Sequence, residues 1–285
     1  MTEPTRQTAV PSSSISPSIA SPAAAAKTPA KHTGKSATQS VEAKLAMGWM
    51  HTAKFLTTAP QLQFLPPLDV PEIAFVGRSN AGKSTCINTL TQQHRLAFAS
   101  KTPGRTQSIN LFTLGKQGIT DTILADLPGY GYAAVPKQDK LRWQRVMANY
   151  LMTRENLKAV VLMCDPRHGL TELDEILLEV IRPRVEDGLK FLLVLTKADK
   201  LNKNECAKAL SIARLQAGGG EVRLFSALKK TGVDDVAQLL WHWTHPVEKA
   251  VKPSESAEIG VTQATIAPDA PDNANPDSNS SETST

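Results

Sequence analysis

Cysteine is scarce in this chain. Cys86, Cys164 and Cys206 are the three present in 285 residues, too few and too scattered for a disulfide framework or a zinc site, so a reducing cytoplasm is expected. Long apolar runs are missing as well. The longest, near Val160 to Cys164 and Phe191 to Leu195, fall far short of the roughly 20 residues that span a bilayer, and a soluble chain without a transmembrane segment is expected. Acid is nearly absent from the first 40 residues, which hold 27 Ala, Ser, Thr or Pro and the single carboxylate Glu3. They carry no signal-peptide core and, with Arg6 their only arginine and no amphipathic period, no transit-peptide helix. Base is absent from residues 253 to 285, where six acids stand without a Lys or Arg. Segments so poor in apolar surface cannot offset their ordering entropy. Residues 1–44 and 251–285 therefore read as disordered extensions, the second acidic, around one domain at 45–250.

That domain is large enough to fold alone. From 45 to 252 the chain carries 27 Lys and Arg against 19 Asp and Glu, net +8. Such a balance suits a polyanionic partner, RNA or an anionic membrane surface, and serves solubility equally well. Along the domain, short apolar runs alternate with stretches of helical period, the pattern of a parallel sheet with helices on both faces. The strands are expected at Ile73–Val76, Thr122–Ala125, Ala159–Cys164, Phe191–Leu195 and Val222–Phe225, with Ser108–Leu114 as a sixth at a sheet edge. Helices are expected around Trp143–Tyr150, Leu173–Val180, Cys206–Ala213 and Val236–Trp243, where apolar residues recur three and four apart, and one further helix over Val41–Thr58.

Chemistry concentrates where the apolar runs end, as ligands do in open parallel sheets. After Ile73–Val76 comes Gly77-Arg78-Ser79-Asn80-Ala81-Gly82-Lys83-Ser84-Thr85, which matches the phosphate-cradling G-x-x-x-x-G-K-[ST] pattern between strand and helix. Its backbone N–H groups wrap a phosphate chain at the positive end of the helix that follows, Lys83 reaches the β and γ phosphates, and the Ser84 hydroxyl is placed for Mg²⁺. The loop alone does not choose between ATP and GTP. The later loops do. Asp126-Leu127-Pro128-Gly129 has the D-x-x-G arrangement, with a carboxylate for the metal, usually through water, and a Gly129 amide for the γ phosphate. Thr196-Lys197-Ala198-Asp199 matches [NT]-K-x-D, in which the Asp199 carboxylate accepts guanine N1–H and the 2-amino group, a pattern adenine cannot satisfy. Phe225-Ser226-Ala227 supplies the loop whose backbone N–H meets guanine O6. Each string is weak alone; in this order, at successive strand ends, they specify a GTP-binding domain. Between the first two lies Gly104-Arg105-Thr106-Gln107-Ser108, in the interval where a first switch carries a hydroxyl to the metal. Thr106 is the candidate there, and Thr102 competes.

These strings together resemble one family, the bacterial EngB (YihA/YsxC) GTPases of the TrmE–Era–EngA–YihA–septin-like group. The likeness covers Ala53 to Trp243 and rests on Pro71 to Asn80, Ser100 to Gln107, Asp126 to Tyr132, Leu195 to Lys200 and Ser226 to Lys230. It implies a three-layer α/β P-loop NTPase fold with a mostly parallel six-stranded sheet. It implies GTP hydrolysis with Mg²⁺ held through Ser84 and Thr106, a role in large ribosomal subunit assembly on rRNA, and a link to cell division and septation; a monomer with no DNA partner is expected. It favours Thr106 over Thr102. The extensions depart from compact members, and nothing carries over to them.

Many small GTPases orient the attacking water with a Gln directly after D-x-x-G. Tyr130 stands there, so hydrolysis is expected to be slow, with Lys83, Thr106 and Gly129 the catalytic groups that remain. Asn80 suggests that K⁺ supplies the missing charge. Asp165-Pro166-Arg167-His168 reads as a structural loop, and His242 with His245 as a helix end. Lys137, Lys140, Arg142, Arg145, Lys229 and Lys230 read as an RNA face or a solvated one. A division GTPase with a protein or membrane partner is the rival function, and an ATP-dependent kinase a third that Asp199 argues against.

Overall fold

The apolar runs pair into a single sheet. The computed structural model describes residues 37–97, 108–131 and 137–246. Its strands are β1 (Lys54–Ala59), β2 (Glu72–Gly77), β3 (Ile109–Leu114), β4 (Thr122–Asp126), β5 (Leu157–Cys164), β6 (Lys190–Leu195) and β7 (Glu221–Leu224). They lie side by side in the order β1-β3-β4-β2-β5-β6-β7. From β4 to β7 all pairing is parallel, and β3 runs antiparallel to both of its neighbours. Every residue of β2 and β4 is buried, as strands covered on both faces require.

Among the described residues six helices make the covering layers: α1 (Ala37–Met50), α2 (Lys83–Leu90), α3 (Lys137–Thr153), α4 (Glu172–Glu186), α5 (Lys203–Gln216) and α6 (Val233–Thr244). The alternation within β2 sorts the two cores. Ile73 and Phe75 pack with Trp49, Ile87 and Leu240, while Ala74 and Val76 pack with Tyr150, Leu177 and Ala213. The result is the expected three-layer α/β/α arrangement.

Among the described residues the sheet has seven strands, not six, and the helix expected over Val41–Thr58 ends at Met50. Residues 54–59 pair instead with β3: Phe55 meets Phe112 edge to face at 6.1 Å, and the Thr58 hydroxyl donates to Asn110 Oδ1 at 2.8 Å. The β-branched and aromatic residues of this segment suit a pleat. Its partner lies some 50 positions downstream, beyond the reach of any local window. β1 takes the edge, so β3 lies one strand inside it.

Glu72 opens β2 with no exposed surface. Arg154 donates to its carboxylate through Nε and Nη2, the latter at 2.6 Å, Tyr150 Oη donates at 2.8 Å, and Arg154 Nη2 also reaches the Pro66 carbonyl at 3.0 Å. One guanidinium thus ties the approach to β2, the first residue of β2 and the carboxyl end of α3.

Candidate nucleotide-binding site

The phosphate loop is the turn between β2 and α2. Asn80 at φ 67° and Gly82 at φ 99° take left-handed conformations, which curl backbone amides into an anion-binding concavity. α2 begins at Lys83, so the positive end of its dipole faces the same point. Gly77 has no tolerance for a side chain, because a Cβ there would stand 2.8 Å from the Met163 carbonyl oxygen of β5. Thr85 is exposed on α2, and Ser84, between it and Lys83, is half-buried.

The D-x-x-G loop is joined to the phosphate loop by backbone. Arg78 and Tyr130 form an isolated parallel bridge, Ser79 N donates to Tyr130 O at 2.8 Å, and Leu127 N donates to Phe75 O at 3.1 Å. Asp126 is 2 % exposed and accepts from Lys83 Nζ. The two charges predicted for phosphate and metal therefore meet directly. Pro128 is buried and Gly129 is exposed. A hydroxyl and a carboxylate, with no thiolate or imidazole, make a hard-oxygen donor set of the type magnesium takes when a substrate's phosphates complete its shell, and the Lys83 ammonium is a cation suited to the phosphates themselves. Among the described residues no three His, Cys, Asp or Glu gather into a cage of their own.

The other two loops close the opposite side. Thr196 Oγ1 donates to Ala81 O at 2.6 Å and Lys197 Nζ to Asn80 O at 2.8 Å, stapling the T-K-x-D loop to the phosphate loop. Ala198 N donates to Phe225 O, and the Ser226 hydroxyl donates to Asp199 Oδ1 at 2.6 Å. That bond lowers the Asp199 pKa and keeps the half-buried carboxylate ionised. The Ser226 amide already donates to Thr231 O. Gly104, Arg105, Thr106 and Gln107 lie outside the described residues; Ser108, leading into β3, is half-buried.

Two carboxylates carry more than their sequence context announced. Asp165, expected in a structural loop, accepts from Lys197 Nζ at 3.0 Å and from Arg167 Nη2 at 2.6 Å, and so holds the lysine of the T-K-x-D loop in place. Its position at the carboxyl end of β5 was the available signal. Asp174, in the first turn of α4, accepts from Tyr130 Oη at 2.5 Å and from Thr171 N and Oγ1. The phenol at the position of the usual glutamine is thereby tied to α4. Only the capping-box spacing Thr171 to Asp174 was visible in the sequence, and that spacing says nothing of Tyr130.

Comparison with known proteins agrees with this geometry. A family model described as "50S ribosome-binding GTPase" matches residues 72–197. The "Probable GTP-binding protein EngB" of Polaromonas sp. is 75% identical over 231 residues, 81% of this chain and 90% of that protein. Its namesake in Albidiferax ferrireducens is 81% identical over 206 residues, 72% of this chain and 100% of the other. Among solved structures, Era in complex with MgGDPNP and nucleotides 1506-1542 of 16S ribosomal RNA superposes with a TM-score of 0.51 at 23% identity, covering 66% of this chain and 60% of that one. That likeness is one of fold.

Proposed function

From the premise that this chain belongs to the EngB family of P-loop GTPases, we propose that its GTP-bound form engages the large ribosomal subunit and that hydrolysis ends the engagement. The observation that carries the reading is the convergence of four loops on one end of the sheet: a phosphate loop, a D-x-x-G carboxylate paired with its lysine, and a base pocket in which Ser226 orients Asp199. The family description, which names 50S ribosome binding, and the net +8 of residues 45 to 252 support the ribosomal partner. A role in subunit assembly, with its consequence for division and septation, follows from that partner, in the cytoplasm where ribosomes are built.

Ser84 and Thr106 would hold a magnesium ion, with Asp126 reaching it through water. The ion would neutralise charge on the β and γ phosphates. Lys83 binds those phosphates and Gly129 donates to the γ phosphate. Tyr130, tied to Asp174, does not orient water, so turnover of the isolated chain is slow. Asn80 directs K⁺ to the phosphate loop, and faster turnover in K⁺ than in Na⁺ buffer is expected; equal rates would remove the ion from the mechanism. Asp199→Asn should move base preference from guanine toward xanthine, read by competition between the two nucleotides.

The deciding test is co-sedimentation of the full chain with purified large subunits, loaded with GDP or a non-hydrolysable GTP analogue. Pelleting selective for the analogue is expected. No pelleting in either state would overturn the ribosomal reading and bring forward a division GTPase with a protein or membrane partner.

A further inference from the structure

Tyr130 joins the D-x-x-G loop to two other elements at once. Its main chain is bonded to the phosphate loop: the carbonyl accepts from Ser79 N at 2.8 Å, and the amide donates to Gly77 O at 3.4 Å. Its side chain is bonded to α4, where the phenol donates to Asp174 Oδ1 at 2.5 Å. The residues on either side are confined by the same elements. A Cβ at Gly129 would stand 3.3 Å from Ser79 Cα, and one at Gly131 would stand 3.2 Å from Arg78 Nε and 3.6 Å from Leu173 Cδ1. All three residues therefore lie against the phosphate loop, and Tyr130 and Gly131 also lie against the first turn of α4.

Asp174 does more than its place in the helix asks. A capping box engages the helix's own N-terminal backbone, and here Oδ2 serves that purpose, accepting from Thr171 N at 2.8 Å and from Thr171 Oγ1 at 2.7 Å. Oδ1 turns instead to a residue 44 positions earlier in the chain. Asp174 is 1% exposed, so an oxygen left there without a donor would cost its full desolvation. The Tyr130 hydroxyl supplies the donor, and a bond from a hydroxyl to a carboxylate is among the stronger kinds. α4 is itself a fixed reference, because Leu177 and Ile181 are buried in the core and Arg184 Nη1 donates to Leu151 O at 2.8 Å.

What these bonds hold in place is Gly129. In the functional reading above, its amide donates to the γ phosphate, a group that GTP has and GDP lacks. A donor already held where its acceptor will sit loses less freedom on binding. We infer that Asp174 is a positioning residue for γ-phosphate recognition: through Tyr130 it keeps the Gly129 amide at the phosphate loop, and so favours the triphosphate over the diphosphate. The inference rests on that role of Gly129.

The test compares the affinities of the full chain for GDP and for a non-hydrolysable GTP analogue, by fluorescent-nucleotide titration in magnesium buffer, with the melting temperature measured alongside. Tyr130→Phe deletes the hydroxyl and keeps the ring; it should weaken analogue binding about tenfold and GDP binding less than about twofold. Asp174→Ala should shift the ratio of the two affinities the same way. Asp174→Asn, whose amide can face the phenol while its oxygen keeps the Thr171 bonds, should bring the ratio back to within about threefold of wild type. Thr171→Val removes a bond to Oδ2 and leaves Oδ1 to Tyr130. It should lower the melting temperature and leave the ratio unchanged, which separates positioning from helix capping. An unchanged ratio in Tyr130→Phe, a shift toward the analogue, or an equal shift in Thr171→Val would overturn the inference. Gly129→Ala, which sets a methyl against Ser79, checks the reading beneath it and should weaken analogue binding selectively. A ratio unchanged by Gly129→Ala would remove Gly129 from γ-phosphate recognition, and the inference with it; a ratio lowered by Gly129→Ala but not by Tyr130→Phe would keep that role and remove the one given to Asp174.

Discussion

Asp165 is where one side chain decides how well the base pocket is held. The hydrogen bond from Arg167, then that from Lys197, keeps its carboxyl well below the usual carboxylate range. A depressed pKa means that its contribution is present above the ordinary carboxylate value and lost only as pH falls through its own lower one. Nucleotide affinity owed to this residue should accordingly be flat from about pH 8 to pH 5. Asp165→Ala frees Lys197 from one of its two partners, and GDP affinity should fall about tenfold, roughly 1.4 kcal/mol, by fluorescent-nucleotide titration. An unchanged affinity would return Asp165 to a purely structural role. Tyr130 titrates the other way. Burial first, then the neighbouring Asp174, push its phenol far above the ordinary value, and burial and Glu72 do the same for Tyr150. Their neutral forms support the fold fully below about pH 10, and that support is lost as pH rises further. Of the chain's three tyrosines, these two should stay un-ionised until the protein unfolds, as read from phenolate absorbance, and Tyr130→Phe should remove one late-titrating group. Ionisation of all three near pH 10 before unfolding would dissolve the Tyr130–Asp174 link. Asp199, Lys83 and Asp126 were legible in the sequence because their chemistry needs fixed spacings from glycines and strand ends. Asp174 was not, because its partner lies 44 positions away and only packing unites them.

At the scale of elements, periodicity located what burial on one face dictates. The helices over Trp143–Tyr150, Leu173–Val180, Cys206–Ala213 and Val236–Trp243 all fall inside α3 to α6, and all six expected strands form the sheet interior or its far edge. What it missed was β1. An edge strand with Phe55 57% and Leu56 39% exposed lacks the inside–outside alternation that marks a strand. Only the pairing with β3 identifies it. The Glu72 clamp is likewise a product of tertiary structure. Its carboxylate is wholly buried, so Arg154→Ala would leave a charge with Tyr150 as its main partner. Removing one member of a buried pair costs about 3–5 kcal/mol, and a clear loss of thermal stability is expected in calorimetry. Glu72→Gln with Arg154→Met, which removes both charges, should recover much of it. Equal instability of the single and double variants would show that the packing of the arginine stem, and not its charge, holds α3.

Across the whole molecule the distribution of charge is the largest feature that no motif describes. The net +5 of the chain conceals +8 between residues 45 and 252 and six acids without a base from 253 onward. A polyanion meets the sum at distances beyond the screening length and the local sign within it. Deleting residues 253–285 raises the net charge from +5 to +11 without touching a nucleotide-binding residue. GTP turnover and GDP affinity should therefore be unchanged, while affinity for single-stranded RNA and for large subunits should rise about threefold to tenfold at low salt. The advantage should shrink as salt is added and vanish near about 0.5 M, where the Debye length falls to a few ångströms. Anisotropy and sedimentation at three salt concentrations would measure it. An advantage that persists at high salt would mean that the acidic segment acts by something other than its charge. No advantage at any salt would mean that the sign presented locally by the folded domain alone sets the affinity, and that the six acids do not modulate it.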